Sequence, residues 1–154
     1  QTCALPIWTW LNKKMDAAGF PARFHPEDFD GTEVNFPREC SLKDLMSLRF
    51  YEERQNVIMY GRTGTGKTML SIILGQLFVE SGVSVLFYRT PSLISLLLKS
   101  SRSGKLDSVL ERIRKASVLI LDEFGYIPYE IEGVRLLFDL ISDINWTKSI
   151  ILNV

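Results

Sequence analysis

The residues best suited to chemistry lie in one glycine-rich segment, GRTGTGKT, at positions 61–68. Glycines at these spacings let the backbone curl so that successive N–H groups point inward at phosphate oxygens. Lys67 is then placed to reach the β- and γ-phosphates of a nucleotide, and Thr68 offers a hydroxyl to Mg²⁺. A chance glycine-rich turn is the alternative, and the strand and helix that flank the segment disfavour it. The predicted cofactor-binding residues are Gly61, Arg62, Thr63, Gly64, Thr65, Gly66, Lys67, Thr68 and Met69.

An acidic pair, Asp122 and Glu123, follows the apolar residues 118–121 and forms the second candidate group. A carboxylate at the carboxyl end of a strand beside the phosphate loop can bind Mg²⁺, which makes Asp122 a metal-ligand candidate with Thr68. Glu123 can polarise a water toward the γ-phosphate, so it is the candidate catalytic base. The alternative for Glu123 is a solvated loop carboxylate. A Glu beside the Asp favours hydrolysis over phosphorylation of a small molecule.

A third candidate, Asn153, lies near the end of the run SIILNV at 149–154. An amide at that position can hydrogen-bond the attacking water or the γ-phosphate. An asparagine after a strand is also a common turn former, and the local pattern does not decide between the two roles.

Elements that could position these residues begin at residue 56, where short apolar runs alternate with amphipathic segments. This alternation is typical of an α/β fold with a parallel sheet. Strands are predicted at 56–60, 83–88, 117–122 and 149–154. Helices are predicted over 67–81, from Pro91 to Gly104, over 106–113 and over 130–145.

The chain before residue 56 is less regular. Residues 1–10 fit no periodic template and are interpreted as an extraneous segment, with a short hydrophobic arm as the alternative. Residues 11–18 predict a short helix that Gly19 stops, and Ser41 is placed to cap a helix over 42–54. Between them, the aromatic residues of 20–40 are expected to pack onto the α/β domain.

Composition narrows the class of protein. The chain has 154 residues, with 18 Lys and Arg against 18 Asp and Glu, and 46% of its residues are hydrophobic. These values exclude a disordered chain, a histone-like basic protein and an acidic tail protein. His25 with Cys3 and Cys40 lacks the spacing of a zinc site. Without a recognisable signal peptide or an apolar run long enough to span a bilayer, the sequence predicts a cytoplasmic protein.

Charge is unevenly distributed along the neutral chain. Residues 99–115 hold six basic residues against two acidic ones, whereas residues 122–143 hold six acidic residues against one basic. A basic stretch of this kind can contact nucleic-acid phosphates, although a solvated helix face is its usual meaning. The candidate DNA contacts are Arg89, Lys99, Arg102 and Lys105.

Taken together, three segments closely resemble the AAA+ domain of IstB-type transposition helper ATPases, which are relatives of the DnaC helicase loaders. They are GRTGTGKT, LILDEFGYIPYEIEGVRLLFDLIS and SIILNV, with GFPARFHPEDFD at 19–30 resembling the family's approach to this domain. The resemblance runs from about Lys13 to Val154. It divides the chain into a non-matching arm at 1–12, a lead-in segment and helix at 13–54, and the nucleotide-binding core at 55–154.

The resemblance implies a P-loop fold of three α/β/α layers with parallel strands in the order 5-1-4-3-2. It implies ATP and Mg²⁺ as cofactors, and DNA, a transposase and other copies of the same chain as partners. It also makes 61–68 the Walker A site, Asp122 and Glu123 the Walker B pair, and Asn153 the sensor-1 residue. The family's fifth strand and arginine finger would lie beyond Val154, so the segment is expected to be an ATPase fragment with weak turnover.

Three alternatives remain open at this point. The chain could serve a replicative helicase in place of a transposase, as the DnaC-type loaders do. It could also be a nucleotide-binding module without turnover, because an arginine finger contributes about 10³- to 10⁵-fold to hydrolysis. Arg62 and Thr63 stand where the family often has two prolines. A genuine stop after Val154 would indicate a degenerate copy, and a continuing reading frame would indicate a clipped domain.

Overall fold

The computed structural model describes residues 4–125 and 130–154. Its helices are α1 (Ala4–Ala18), α2 (Leu42–Met46), α3 (Arg49–Glu52), α4 (Lys67–Glu80), α5 (Thr90–Arg102), α6 (Leu106–Lys115) and α7 (Ile131–Ile144). Its strands are β1 (Val57–Met59), β2 (Val85–Arg89), β3 (Val118–Asp122) and β4 (Ser149–Asn153). The latter part of the DEFGYIP segment at 122–128 lies outside the described residues.

The four strands form one parallel sheet in the order β1-β4-β3-β2. This order confirms the α/β prediction and the part of the implied 5-1-4-3-2 order that these strands cover. All five residues of β3 are buried, because β3 is an interior strand with a helical layer over each face. Leu121 pairs with Leu152, and Met59 pairs with Asn153, so β1, β3 and β4 end at the same edge.

Two hydrophobic clusters, one on each face of the sheet, hold the three layers together. On one face, α1 and α4 cover the sheet, and Phe78 and Ile72 are fully buried there. On the other face, α5, α6 and α7 contribute Leu97, Ile113 and Leu137, each without exposed surface. Within the described residues, no helix is both long enough and apolar enough to cross a membrane.

Helix prediction before residue 56 was wrong in two respects. The helix predicted over 11–18 extends back to Ala4, and the helix predicted over 42–54 is two short helices. Leu48 separates them with a left-handed φ of 61°, a conformation that ends an α-helix. The start at Ser41 is as predicted: its hydroxyl accepts from the N–H of Asp44, while the Asp44 carboxylate accepts from the N–H of Ser41.

The irregular segment between α1 and α2 is fastened to α4, and its aromatic side chains pack on the core as predicted. Gln76, buried in α4, accepts from the N–H of Phe24 at 3.0 Å and donates to its carbonyl at 2.6 Å. These two bonds satisfy the main chain of Phe24 where it crosses the helix. Further along the segment, the ring of Phe29 lies beside Gly66, because a Cβ added to that glycine would be 3.1 Å from Phe29 Cε2.

Candidate nucleotide site

The glycine-rich loop lies between β1 and α4, at the carboxyl edge of the sheet. Gly64 and Gly66 have φ values of 83° and 86°, which L side chains rarely adopt, and α4 begins immediately afterwards at Lys67. Lys67 Nζ donates to the carbonyls of Gly61 at 2.6 Å and Arg62 at 2.8 Å. The loop therefore curls around the ammonium group, at the N-terminal end of α4 where an anion is favoured.

Thr68 and Asp122 meet beside this loop. The Thr68 hydroxyl lies 3.0 and 2.9 Å from the two carboxylate oxygens of Asp122, and only 6% of Asp122 is exposed. The two residues are far apart in the sequence, and they meet because α4 begins and β3 ends beside the loop. A hydroxyl and a carboxylate side by side are oxygen ligands of the kind that Mg²⁺ prefers.

Asn153 lies against the same carboxylate. Its Nδ2 donates to Asp122 Oδ1 at 3.0 Å and to Ser71 Oγ at 2.9 Å. Its Oδ1 is buried and has no hydrogen-bond partner among the described residues. A buried amide oxygen that lacks a donor carries a free-energy cost of about 1–3 kcal/mol, which a water or another donor in the site would offset.

Glu123 follows Asp122 but points elsewhere. Its φ of 57° is left-handed, so the chain turns sharply after β3, and its carboxylate pairs with Arg89 at the end of β2. Arg89 Nη2 lies 3.0 and 2.9 Å from the two carboxylate oxygens. The next residue, Thr90, is fully buried and donates to the main-chain carbonyl of Asp122 at 2.8 Å. The end of β2 thus holds both residues of the acidic pair.

The four DNA candidates do not form one cluster. Arg89 precedes α5 and pairs with Glu123, whereas Lys99 and Arg102 lie in the last turn of α5, at a distance of about 15–20 Å along the helix. Arg102 pairs with Glu130 at 2.6 Å, and Lys105 lies in the turn before α6. Their predicted contacts with DNA remain predictions.

The residues present suit a nucleotide with its metal ion. The ammonium group of Lys67 donates to main-chain carbonyls whose place phosphate oxygens would take. The buried amide oxygen of Asn153 can accept a hydrogen bond from a bound group. Thr68 and Asp122 provide the oxygen ligands. Sequence reasoning missed the supporting contacts made by Ser71 and Thr90, because a single Ser or Thr in an apolar pattern gives no signal of its partner.

Comparison with known proteins accords with this site. A family model described as IstB-like ATP binding protein matches residues 9–154. The insertion sequence IS21 putative ATP-binding protein of Pseudomonas aeruginosa is 40% identical over 143 residues, covering 92% of this chain and 54% of that protein. The corresponding IS232 protein of Bacillus thuringiensis is 30% identical over 138 residues, covering 90% and 55%. The chain thus spans about half the length of these curated relatives.

Solved structures of replication proteins share the fold. AMPPCP-bound DnaA from Aquifex aeolicus superposes with a TM-score of 0.72 at 16% identity, over 88% of this chain and 43% of that one. The DnaC helicase loader gives 0.62 at 23% identity, over 79% of this chain and 75% of that one. These likenesses confirm a P-loop fold of the AAA+ type. The family match over residues 9–154 shows that the chain belongs to the IstB-like ATP-binding proteins.

Proposed function

We propose that this chain binds ATP with Mg²⁺ and hydrolyses the ATP, as the nucleotide-binding part of an AAA+ subunit that assists DNA transposition. The observation that carries the proposal is the contact of Thr68, Asp122 and Asn153 at the open end of the phosphate loop. These side chains come from α4, β3 and β4, and their contact supports a site for the γ-phosphate and the metal ion at this end of the loop.

In this proposal the phosphates are bound by groups in and after the glycine-rich loop. Main-chain N–H groups of residues 61–68 and the first turn of α4 bind the phosphates. Lys67 exchanges its two carbonyl partners for β- and γ-phosphate oxygens, so the loop need not change its course. Thr68 and Asp122 would hold Mg²⁺, which supplies positive charge to offset that of the phosphates.

Hydrolysis then requires a positioned water. In this proposal the Glu123 carboxylate accepts a proton from the water while the water oxygen bonds to the γ-phosphorus. The bond from that phosphorus to the β,γ-bridging oxygen then breaks. ADP and phosphate are the products. Asn153 Oδ1 accepts a hydrogen bond from the water and so orients it, while Nδ2 keeps Asp122 in place. Glu123 must leave Arg89 before it can serve as the base.

The partners proposed are DNA, a transposase and further copies of the same chain, in the cytoplasm where ATP and the chromosome are accessible. Support comes from the relatives, which are described as ATP-binding proteins of insertion sequences. A neighbouring copy would supply the arginine finger that the family resemblance implies. A second candidate is loading of a replicative helicase, which is favoured by the fold shared with the DnaC helicase loader.

The test measures ATP binding and phosphate release separately. We expect Lys67→Ala to lose ATP binding, and Glu123→Gln to keep binding while phosphate release falls by about 100-fold or more. Glu52→Gln, an exposed carboxylate in α3, is the matched control and should behave as the parent. Equal phosphate release by the parent and Glu123→Gln, with ATP bound by both, would instead establish a binding module without turnover. Capture of a purified transposase or a purified helicase by the full-length protein separates the two candidate partners.

A further inference from the structure

A cavity opens at the end of the sheet opposite the phosphate loop. It has a volume of about 340 Å³ and lies between α1, the start of β2 and the end of α6. Trp10, Lys14, Gly82, Ser84, Arg112 and Lys115 are among the residues that line it. Val85 also lines it, whereas Arg89 at the other end of β2 reaches Glu123. At about 3.3 Å a residue, the two sites are about 13 Å apart along this strand.

Positive charge dominates this cavity. Lys14, Arg112 and Lys115 line it, and the described lining residues include no carboxylate. Two other basic residues nearby in sequence have acidic partners, since Arg102 pairs with Glu130 and Arg114 with Asp143. Arg112 donates to the hydroxyl of Tyr88, which is a neutral partner. Like charges that share a cavity repel one another, and a bound anion would offset that repulsion.

An aromatic face accompanies the charge. Trp10 and Lys14 are four residues apart on α1, so they lie on the same side of that helix. Trp10 is 46% exposed although it lines the cavity, whereas Met15 on the neighbouring face of α1 packs into the core. Gly82, which also lines the cavity, faces open space, because a Cβ added to it would meet nothing within 4 Å. The site therefore pairs a flat indole surface with cations.

We propose that this cavity binds a nucleotide unit of single-stranded DNA, with a base stacked on Trp10 and the backbone phosphate held by Lys14, Arg112 and Lys115. Every base offers a π face to an indole, and the phosphate supplies the negative charge that the cavity lacks. In a duplex the bases already stack on one another, so a single strand fits this surface better. This site rests on the proposed DNA partner but not on ATP turnover, because none of its residues belongs to the phosphate loop.

The test uses fluorescence anisotropy of a labelled oligothymidine strand of about 15 nucleotides, at low salt and without ATP. We expect Trp10→Ala and Lys14→Glu each to weaken binding by about fivefold or more, because each removes one of the two interactions. Trp8→Ala and Lys13→Glu are matched controls on the same helix. Trp8 is 62% exposed, and neither residue is among those that line the cavity. Both controls should bind within about twofold of the parent.

Further variants and strands separate the contribution of stacking to DNA affinity from that of charge and from any effect of misfolding. Trp10→Phe keeps an aromatic face, so it should retain most of the affinity and shows that any loss in Trp10→Ala is not misfolding. An abasic strand of equal length should bind more weakly than oligothymidine, and Lys67→Ala should bind the strand as the parent does. The proposal is overturned if Trp10→Ala and Lys14→Glu bind like their controls or if the abasic strand binds equally well. Thymidine monophosphate binding as tightly as the strand would also overturn it, in favour of a free-nucleotide site.

Discussion

Arg89 Nη2 bridges both carboxylate oxygens of Glu123, at 3.0 and 2.9 Å, across the ends of β2 and β3. The pair joins a residue predicted to contact DNA with the residue predicted to activate water. Both side chains are about half exposed, so the pair is worth about 0.2–1 kcal/mol and can open readily. If DNA binds Arg89 as predicted, its phosphate would compete with Glu123 for the guanidinium group and release the Glu123 carboxylate.

Removal of this pair should raise basal hydrolysis. We expect Arg89→Ala to increase phosphate release without DNA by up to about fivefold, since an opened pair of this strength frees Glu123 more often. Stimulation by DNA should shrink in the same variant. Steady-state phosphate release with and without DNA provides the measurement. Arg114→Ala, which removes a similarly exposed pair with Asp143, is the control. Turnover by Arg89→Ala as low as that of Glu123→Gln would contradict the idea that the pair with Arg89 restrains Glu123.

The buried amide of Asn153 should separate ATP binding from hydrolysis. Asn153→Ala removes the donor to Asp122 and the acceptor that lacks a partner, so we expect phosphate release to fall by about 100-fold while ATP binding changes little. The free energy of unfolding should fall by less than about 1–3 kcal/mol, because the loss of one donor to the buried Asp122 carboxylate is partly offset by the loss of an amide oxygen that lacks a partner.

Asn145→Ala is the matched control for this variant. Asn145 accepts a hydrogen bond from Asn56 at the opposite edge of the sheet, so its loss should affect stability alone. If both variants lost stability and kept full turnover, Asn153 would be a structural residue with no part in hydrolysis.

Periodicity and spacing sufficed for the α/β core but not for the contacts between its ends. The apolar runs of β3 and β4 locate buried parallel strands, and a glycine-rich turn before α4 gives the loop its chemistry. Leu48 shows where apolar spacing is insufficient. The spacing predicts one helix, but the left-handed φ of Leu48 divides it into two. Spacing along the chain also cannot report that Arg89 faces Glu123, because that contact depends on the register of β2 beside β3.

The capping box of α2 gives a prediction about pH. The Ser41 hydroxyl, more than any other group, holds the pKa of Asp44 below its ordinary value of 3.8, and the Ser41 N–H adds to this. A lowered pKa in the folded state means that ionised Asp44 stabilises the fold. This stabilisation is complete above the unfolded pKa and is lost as the pH falls through the folded one.

Ser41→Ala should therefore return the Asp44 pKa part of the way toward 3.8, since the N–H remains. The decline in unfolding temperature between about pH 5 and 3 should become shallower. NMR titration of the carboxyl carbon measures the pKa directly. Ser47→Ala is the control, because the Ser47 hydroxyl bonds the main-chain carbonyl of Asp44 and not its carboxylate. An unchanged Asp44 pKa in Ser41→Ala would contradict the assignment.

Two glycines with nearly the same φ allow the effect of an added side chain on the phosphate loop to be separated from the effect of backbone strain. Gly66 and Gly82 have φ values of 86° and 82°, so alanine at either position should cost about 1–2 kcal/mol of stability. A Cβ at Gly66 would also lie 3.1 Å from Phe29 Cε2, whereas one at Gly82 meets nothing within 4 Å. Only Gly66→Ala should therefore displace the loop and weaken ATP binding, by about tenfold or more.

Titration with a fluorescent ATP analogue, beside thermal unfolding, compares the two glycine variants. Phe29→Ala in the Gly66→Ala background removes the clash but leaves the strained φ, so it should restore part of the affinity. That partial recovery would show that the segment before α2 helps to shape the phosphate loop. Equal ATP affinity in Gly66→Ala and Gly82→Ala would mean that the loop tolerates the added methyl group, and that contact between Phe29 and the loop has no bearing on ATP binding.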